Sequence, residues 1–293
     1  MSVTVAMIKE LRDMTGAGIM DAKKALQEVD GNLEEAVTYL RKQGMAASAK
    51  KADRIAAEGI TDIKVKGNEA LMFEVNSETD FVAKNDKFLA MIDQIGDALL
   101  ASDAKTTEEA LEVSLGDETI AEATVQATAT IGEKIEFRRF ERVTKTDDQV
   151  FGTYVHMGGR ISAIAVVEGS EQVAEDIAMQ VASMNPKYNT RKDIDEDALN
   201  KEREIQESIL ANDESLKNKP EKVLKGIIQG RISKTMKDFT LSDQDFFKES
   251  KQSVKQYLKE NDAKVVSFVR YELGEGLEKR VEDFAAEVEA QSK

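Results

Sequence analysis

Between Gly59 and Phe140, and again between Val150 and Leu273, the chain passes through the same order of hydrophobic periods, and this duplication limits the folds open to it. From Gly59 the period is two. Ile63 and Val65 alternate with charged residues, Gly67-Asn68 supplies a hairpin turn, and Leu71, Phe73 and Val75 form the buried face of the returning strand. Phe88, Ile92, Ile95 and Leu99 then recur at helical spacing, more helix follows, and Ile135, Phe137 and Phe140 mark another strand. The second copy opens on VFGTYVHMGGRISAIAVVEG, two strands around a Gly158-Gly159 turn. Val173, Ile177 and Val181 mark a helix, Val254 with Leu258 another, and AKVVSFVRYEL a last strand. Two copies of a hairpin, helix and strand plan specify an α+β fold: two related core subdomains, each with an antiparallel sheet covered by helices.

Three short amphipathic periods precede the first copy. Val5, Ile8 and Leu11 fall at helical spacing, TGAG (15–18) breaks the pattern, and Ile19, Ala22, Leu26 and Val29 resume it. Asn32 is an N-cap candidate with Glu35 three places on, Val37 and Leu40 give an inner face, and Gly44 suits a helix end. The result is a three-helix bundle, and the alanine-rich AASAKKADRIAAEG reads as a helical tether. A further segment, from about 190 to 238, interrupts the second copy. Leu199, Ile205 and Ile209 lie on one helix, NDESLKNK is a polar turn, and Pro220 takes the first position of a return helix with Val223, Leu224, Ile227 and Ile228. That is an antiparallel coiled-coil hairpin. Gly274 and Gly276 precede an amphipathic helix with Leu277, Val281, Phe284 and Val288. The expected organisation is a bundle and tether over 1–54, core subdomains over 55–143 and 144–273 with the hairpin at 190–238, and a C-terminal helical module over 274–293.

A chain of 293 residues accommodates two or three such units. It has no cysteine, which excludes a disulfide framework, thiolate zinc sites and a thiol nucleophile. No apolar run approaches the ~20 residues that span a bilayer, and the N-terminus lacks a charged region followed by an apolar stretch, so a cytoplasmic protein without a membrane partner is expected. The net charge of −15 repels nucleic acid, and the first 54 residues, with nine basic and eight acidic side chains, do not form a basic patch. GxxxxGK[ST], HExxH and GxSxG are absent, and the single histidine, His156, cannot supply paired imidazoles. The expectation is a protein that binds rather than catalyses.

Four stretches carry two readings each. TGAG resembles a fragment of a phosphate loop, yet it follows a helix and lacks the third glycine, so an interhelical turn competes. GIM (18–20) is either an exposed contact patch or part of the bundle core. His156 beside its glycine pair is either a functional group or a locally bonded hairpin residue. In SETDFVAKND (77–86), Thr79 or Asp80 either caps the helix carrying Phe88, with Phe81 folded into the core, or the run has a function of its own.

The blocks IKELRDMTGAGIMDAKKAL, SETDFVAKND, TIGEKIEFRRF, HMGGRI and RYELGEGLEKRVEDFAAEV occur in the order found in bacterial elongation factor Ts, and together the chain resembles that family. The resemblance implies a ubiquitin-associated-like N-terminal bundle, and it implies no enzyme but a guanine-nucleotide exchange factor in translation elongation that holds no cofactor and no metal of its own. The implied partner is elongation factor Tu, GDP-bound and nucleotide-free; a homodimer or 2:2 complex stays open. On this resemblance Thr79, Asp80, Phe81 and Val82 form the loop that reaches the partner's Mg²⁺ and phosphate site, with Phe81 as a wedge. Met20, Lys23, Ile131, Gly132 and His156 match further contact positions, and the last helix returns to the GTPase domain. The rival reading is a bundle adaptor without exchange activity.

Overall fold

The computed structural model describes residues 3–213, 215, 216 and 219–278. They form a mixed α+β structure in two units, the first within Met1–Val143, Met157–Ile161 and Tyr271–Lys293, the second within Thr144–His156 and Ser162–Arg270.

The first unit begins with α1 (Val5–Thr15), α2 (Ile19–Glu28) and α3 (Leu33–Ala49). Thr4 caps α1 by accepting from the Met7 N–H, and Asn32 caps α3 by accepting from those of Glu34 and Glu35, while its amide donates to Glu35 at 2.9 Å. Leu11, Ala22, Ala25, Leu26, Ala36 and Leu40 make the bundle core. Alanines at 22, 25 and 36 let the short helices approach closely, so the buried stripe is narrow. It excludes Val5, expected inside, and it leaves Ile19 57% and Met20 73% exposed, which overturns the core reading of GIM.

Next come β1 (Glu58–Lys66) and β2 (Glu69–Ser77), paired antiparallel from Glu58↔Ser77 to Lys66↔Glu69. The two-residue connection has Gly67 at φ +60°, the left-handed conformation a type II′ turn demands at its first position. α4 (Asp86–Leu100), α5 (Thr107–Leu111), β3 (Ser114–Leu115), β4 (Glu118–Thr119), α6 (Ile120–Ile131) and β5 (Glu136–Thr144) complete this stretch. The sheet order is β1-β2-β5, and α4 lays Phe88, Ile92, Ile95 and Leu99 on Leu71, Phe73 and Val75. Each large apolar side chain buried there contributes roughly 1.5–3 kcal/mol. The alternation expected of a one-faced strand is not found in β2, where Ala70, Met72, Glu74 and Asn76 are buried as well, because β2 is central and covered on both faces. Val65, at the far end of β1, is 47% exposed.

Two sequence expectations fail around α3. Gly44 does not end it. The helix continues to Ala49, and Gly44 is buried where α3 crosses α6, a Cβ there lying 3.4 Å from both the Ala129 Cβ and Gln126 Oε1. Only AASA of the tether is helical, since the following residues dock on the core, Lys51 Nζ donating to the Thr128 carbonyl at 3.4 Å and Arg54 pairing with Glu78 at 3.2 Å. Because 3.4 Å is ordinary van der Waals contact, Gly44→Ala is expected to raise stability by about 0.5–1 kcal/mol through helix propensity. Urea unfolding checks this, and a decrease would mean that the α3–α6 contact cannot accept a methyl group.

The second unit repeats the plan. β6 (Val150–His156) and β7 (Ile161–Glu168) are followed by α7 (Glu171–Met184), whose Val173, Ile177 and Val181 are buried. α8 (Glu196–Ala211) and α9 (Glu221–Phe239) then pack on each other as the inserted hairpin, with Pro220 at the N-cap of α9 rather than the first helical position expected. β8 (Asp245–Phe246), β9 (Glu249–Ser253), α10 (Val254–Glu260) and β10 (Lys264–Glu272) follow, in the sheet order β10-β7-β6. The duplication reaches details the hydrophobic periods do not carry. A miniature hairpin, β3-β4 or β8-β9, precedes the last helix of each copy, and its final residue is that helix's N-cap in a capping box, Thr119 with Glu122 and Ser253 with Gln256. The helix expected through Val281, Phe284 and Val288 lies outside the described residues; Gly274 and Gly276, with φ +69° and +76°, form turns before it.

Candidate functional site

β2 ends at Ser77, and α4 does not start until Asp86 because Asn85 takes the N-cap, its Oδ1 accepting from the N–H groups of Lys87 (2.9 Å) and Phe88 (3.4 Å). With that role filled, Thr79 and Asp80 are not caps, and the loop between is free to carry other chemistry. Val82 opens a 3-10 turn, Val82–Lys84, and is buried against the α4 core. Phe81, one residue earlier, is 78% exposed. The reading that folds Phe81 into the core therefore fails: Val82 is the anchor, and the ring projects.

Two carboxylates from the loop junctions hold this segment. Thr79 donates its N–H to Glu133 Oε2 at 2.9 Å and its hydroxyl to Oε1 at 2.7 Å. In the opposite sense Glu78 Oε1 accepts from the Lys134 N–H at 2.6 Å and from Arg54 at 3.2 Å. The Ser77 hydroxyl donates to the Thr79 carbonyl at 2.9 Å. Glu133 directly follows Ile131 and Gly132, where α6 stops on a left-handed Gly132 at φ +91° whose N–H reaches the Thr128 carbonyl. The structure thus brings Thr79 to Val82 and Ile131-Gly132 into one locked unit. Glu133 carries no signal in the sequence, since its partner lies 54 positions away.

Asp80 pairs with Lys84 at 2.9 Å, and this hydrogen bond holds its carboxyl below the ordinary range, so it is ionised at neutral pH. Lys84 Nζ also lies 6.0 Å from the Phe81 ring centroid. On α2, Met20 and Lys23 are exposed. The TGAG turn between α1 and α2 is a joint: Gly16 at φ +67° closes α1, and its carbonyl accepts from Lys87 Nζ at 3.3 Å. In the second unit His156 ends β6, exposed, its Nδ1 3.0 Å from the Tyr154 hydroxyl and the two rings stacked at 5.7 Å. The following Met157, Gly158 and Gly159 all have positive φ, and in the first unit the Gly159 carbonyl accepts from both the N–H (2.8 Å) and hydroxyl (2.9 Å) of Thr61. A Cβ on Gly159 would come within 2.8 Å of the Thr61 carbonyl, which explains the second glycine of HMGG.

Among the described residues no group of three or more His, Asp or Glu side chains could hold a metal ion, and no helix is long and apolar enough to cross a membrane. In class, this is an α+β chain whose candidate site is an outward-facing aromatic on a braced loop. Comparison with known proteins makes the class particular. A profile of the family described as Elongation factor TS matches residues 78–275, and the elongation factor Ts of Acholeplasma laidlawii (strain PG-8A) is 51% identical over 293 residues, covering 99% of each chain. The chain belongs to the elongation factor Ts family, the nucleotide-exchange factors of translation elongation.

The brace around Thr79 makes a prediction of its own. Glu133→Ala removes both acceptors of the Thr79 N–H and hydroxyl and costs about 1 kcal/mol locally. Hydrogen exchange at the Thr79 amide is expected to rise roughly fivefold. Unchanged protection would show that the loop holds its shape without the carboxylate.

Proposed function

We propose that this chain binds GDP-bound elongation factor Tu, inserts the Thr79 to Val82 loop beside its Mg²⁺ and phosphate site, and so promotes GDP release. The observation that carries this reading is Phe81, 78% exposed on a loop whose backbone is fixed by Glu133 and Glu78. A large ring held in water gains by burial in a partner's cleft, and a loop already ordered loses little conformational freedom on docking. Asp80 has a second task. Its ionised carboxylate, released from the exposed pair with Lys84, perturbs the water and side-chain shell of the partner's Mg²⁺ without becoming a permanent ligand. Once the ion is displaced, the diphosphate loses its main neutralising charge and leaves faster.

Met20 and Lys23 on α2, Ile131 and Gly132 after α6, and His156 at the end of β6 are the further contacts of this proposal. Ile19 and Met20, 57% and 73% exposed, offer adjacent aliphatic surface to the partner. Factor and nucleotide weaken each other's binding to the same extent, so incoming GTP expels the factor and the final nucleotide equilibrium is unchanged. The test is stopped-flow release of a fluorescent GDP analogue from elongation factor Tu as this protein is titrated. Strong acceleration, saturating with protein concentration, is expected. Release at the intrinsic rate throughout would overturn the proposal.

A further inference from the structure

The second unit contains an open cleft of about 670 Å³ between the 3-10 turn Arg191–Asp193, the last turn of α10 and the first residues of β10. Leu258, Ala263 and Val266 give it an apolar floor, with Val266 40% exposed. Five cations line it. Arg191 is paired with Asp243, and Lys264 with Glu168 at 3.4 Å, but Lys192, Lys255 and Lys259 form no ion pair among the described residues. In a chain of net charge −15, three unpaired ammonium groups around exposed apolar surface are a local reversal of the protein's field.

We propose that this cleft receives an acidic amphipathic helix of a partner protein, independently of the exchange reading. Lys255 and Lys259 stand four residues apart on α10, about 6 Å along its axis, which is the repeat of carboxylates at i and i+4 on an opposing helix. The neighbouring face of that helix carries the apolar side chains that reach Leu258 and Val266, while the lysine stems line the rim. A helix fits better than an added strand, because the Val265 carbonyl of edge strand β10 already accepts from Asn189 Nδ2 at 2.9 Å. Spaced carboxylates fit better than nucleic acid. No aromatic ring is among the residues lining the cleft to stack a base. The rim pairs act mainly on selection and association rate, and the floor on affinity.

Fluorescence anisotropy with the full-length protein tests this. The probes are a labelled helical peptide of about five turns with glutamates four apart beside a leucine face, its counterpart with lysine for each glutamate, and a single-stranded RNA of similar length. The acidic peptide is expected to bind and the cationic one not. Lys255→Glu with Lys259→Glu is expected to weaken the acidic peptide roughly tenfold, since two favourable pairs become two repulsive ones. Both side chains are exposed, so the double variant should retain its fold by circular dichroism. No binding of the acidic peptide up to about millimolar concentration, an unchanged Kd in the double variant, or tighter binding of the RNA at this cleft would each overturn the proposal.

Discussion

Phe81→Ala is expected to lower the maximal rate of GDP release from elongation factor Tu by roughly tenfold to a hundredfold, while leaving thermal unfolding of the protein within about 1 °C. The two halves follow from one number. A ring that is 78% exposed contributes little to the core, so its truncation leaves stability alone, and nearly all its apolar surface is still available for burial in a partner. Central aromatic contacts that become desolvated on binding typically cost about 2 kcal/mol or more when truncated, which corresponds to roughly thirtyfold. Titration separates two roles. A lowered plateau at saturating factor places Phe81 in the release step, whereas an unchanged plateau reached at higher concentration places it in docking. Unchanged plateau and midpoint together would return the ring to an incidental surface residue. Val82→Ala is no substitute for this test, because Val82 is buried and its truncation would report stability.

The features legible in the sequence are those whose signal is local. The β1-β2 hairpin needs only a period of two and a Gly-Asn turn, and α4 declares itself through four apolar residues at 3.6 spacing, all found buried. The order of two sheets and their helices follows from the same periods read twice. Burial within the bundle was less legible, because alanines carry the close packing and periodicity alone cannot distinguish Ala22, which is buried, from Ile19, which is not. Two-residue strands such as β3 and β4 are too short to show alternation. Gly44 misled for a physical reason: a helix-ending glycine and a glycine at a close helix crossing look alike until the neighbouring helix is present. At the candidate site the motif marked a loop but left Phe81 with two orientations. The choice between them was made by Asn85, whose side chain takes the helix N-terminus and so releases the residues before it. Glu78 and Glu133, which give the loop its shape, act through contacts more than fifty positions apart that no spacing rule encodes.

Glu74→Ala is expected to destabilise the protein by about 3–5 kcal/mol, the largest effect on stability predicted here. Glu74 sits mid-strand in β2, where alternation would place it in solvent, yet its side chain is 0% exposed. Its Oε1 accepts from Arg138 at 2.9 Å, Asn76 at 3.1 Å and the Gly274 N–H at 2.8 Å, and its Oε2 from Arg139 at 2.6 Å. The two guanidiniums in turn donate to the carbonyls of Glu275 and Glu272, and Arg139 lies 4.0 Å over the Tyr271 ring. One carboxylate thereby ties residues 271–275 to β2 and β5 within the first unit. Removing it leaves two partly buried cations and a backbone donor uncompensated, which is far costlier than the net worth of the pairs themselves. Burial alone would push the Glu74 carboxyl up, but the Gly274 N–H and the two arginines outweigh it, so the folded value lies below the ordinary 4.5. A group depressed on folding stabilises above its unfolded value and loses that contribution as pH falls through the folded one. The stability gap between the natural chain and Glu74→Ala should therefore be full near neutral pH and shrink only below 4.5. Urea unfolding of both chains across this range checks the size and the sign. A gap that stayed constant into acid would mean that the packing of the side chain, not its charge, holds residues 271–275 in place.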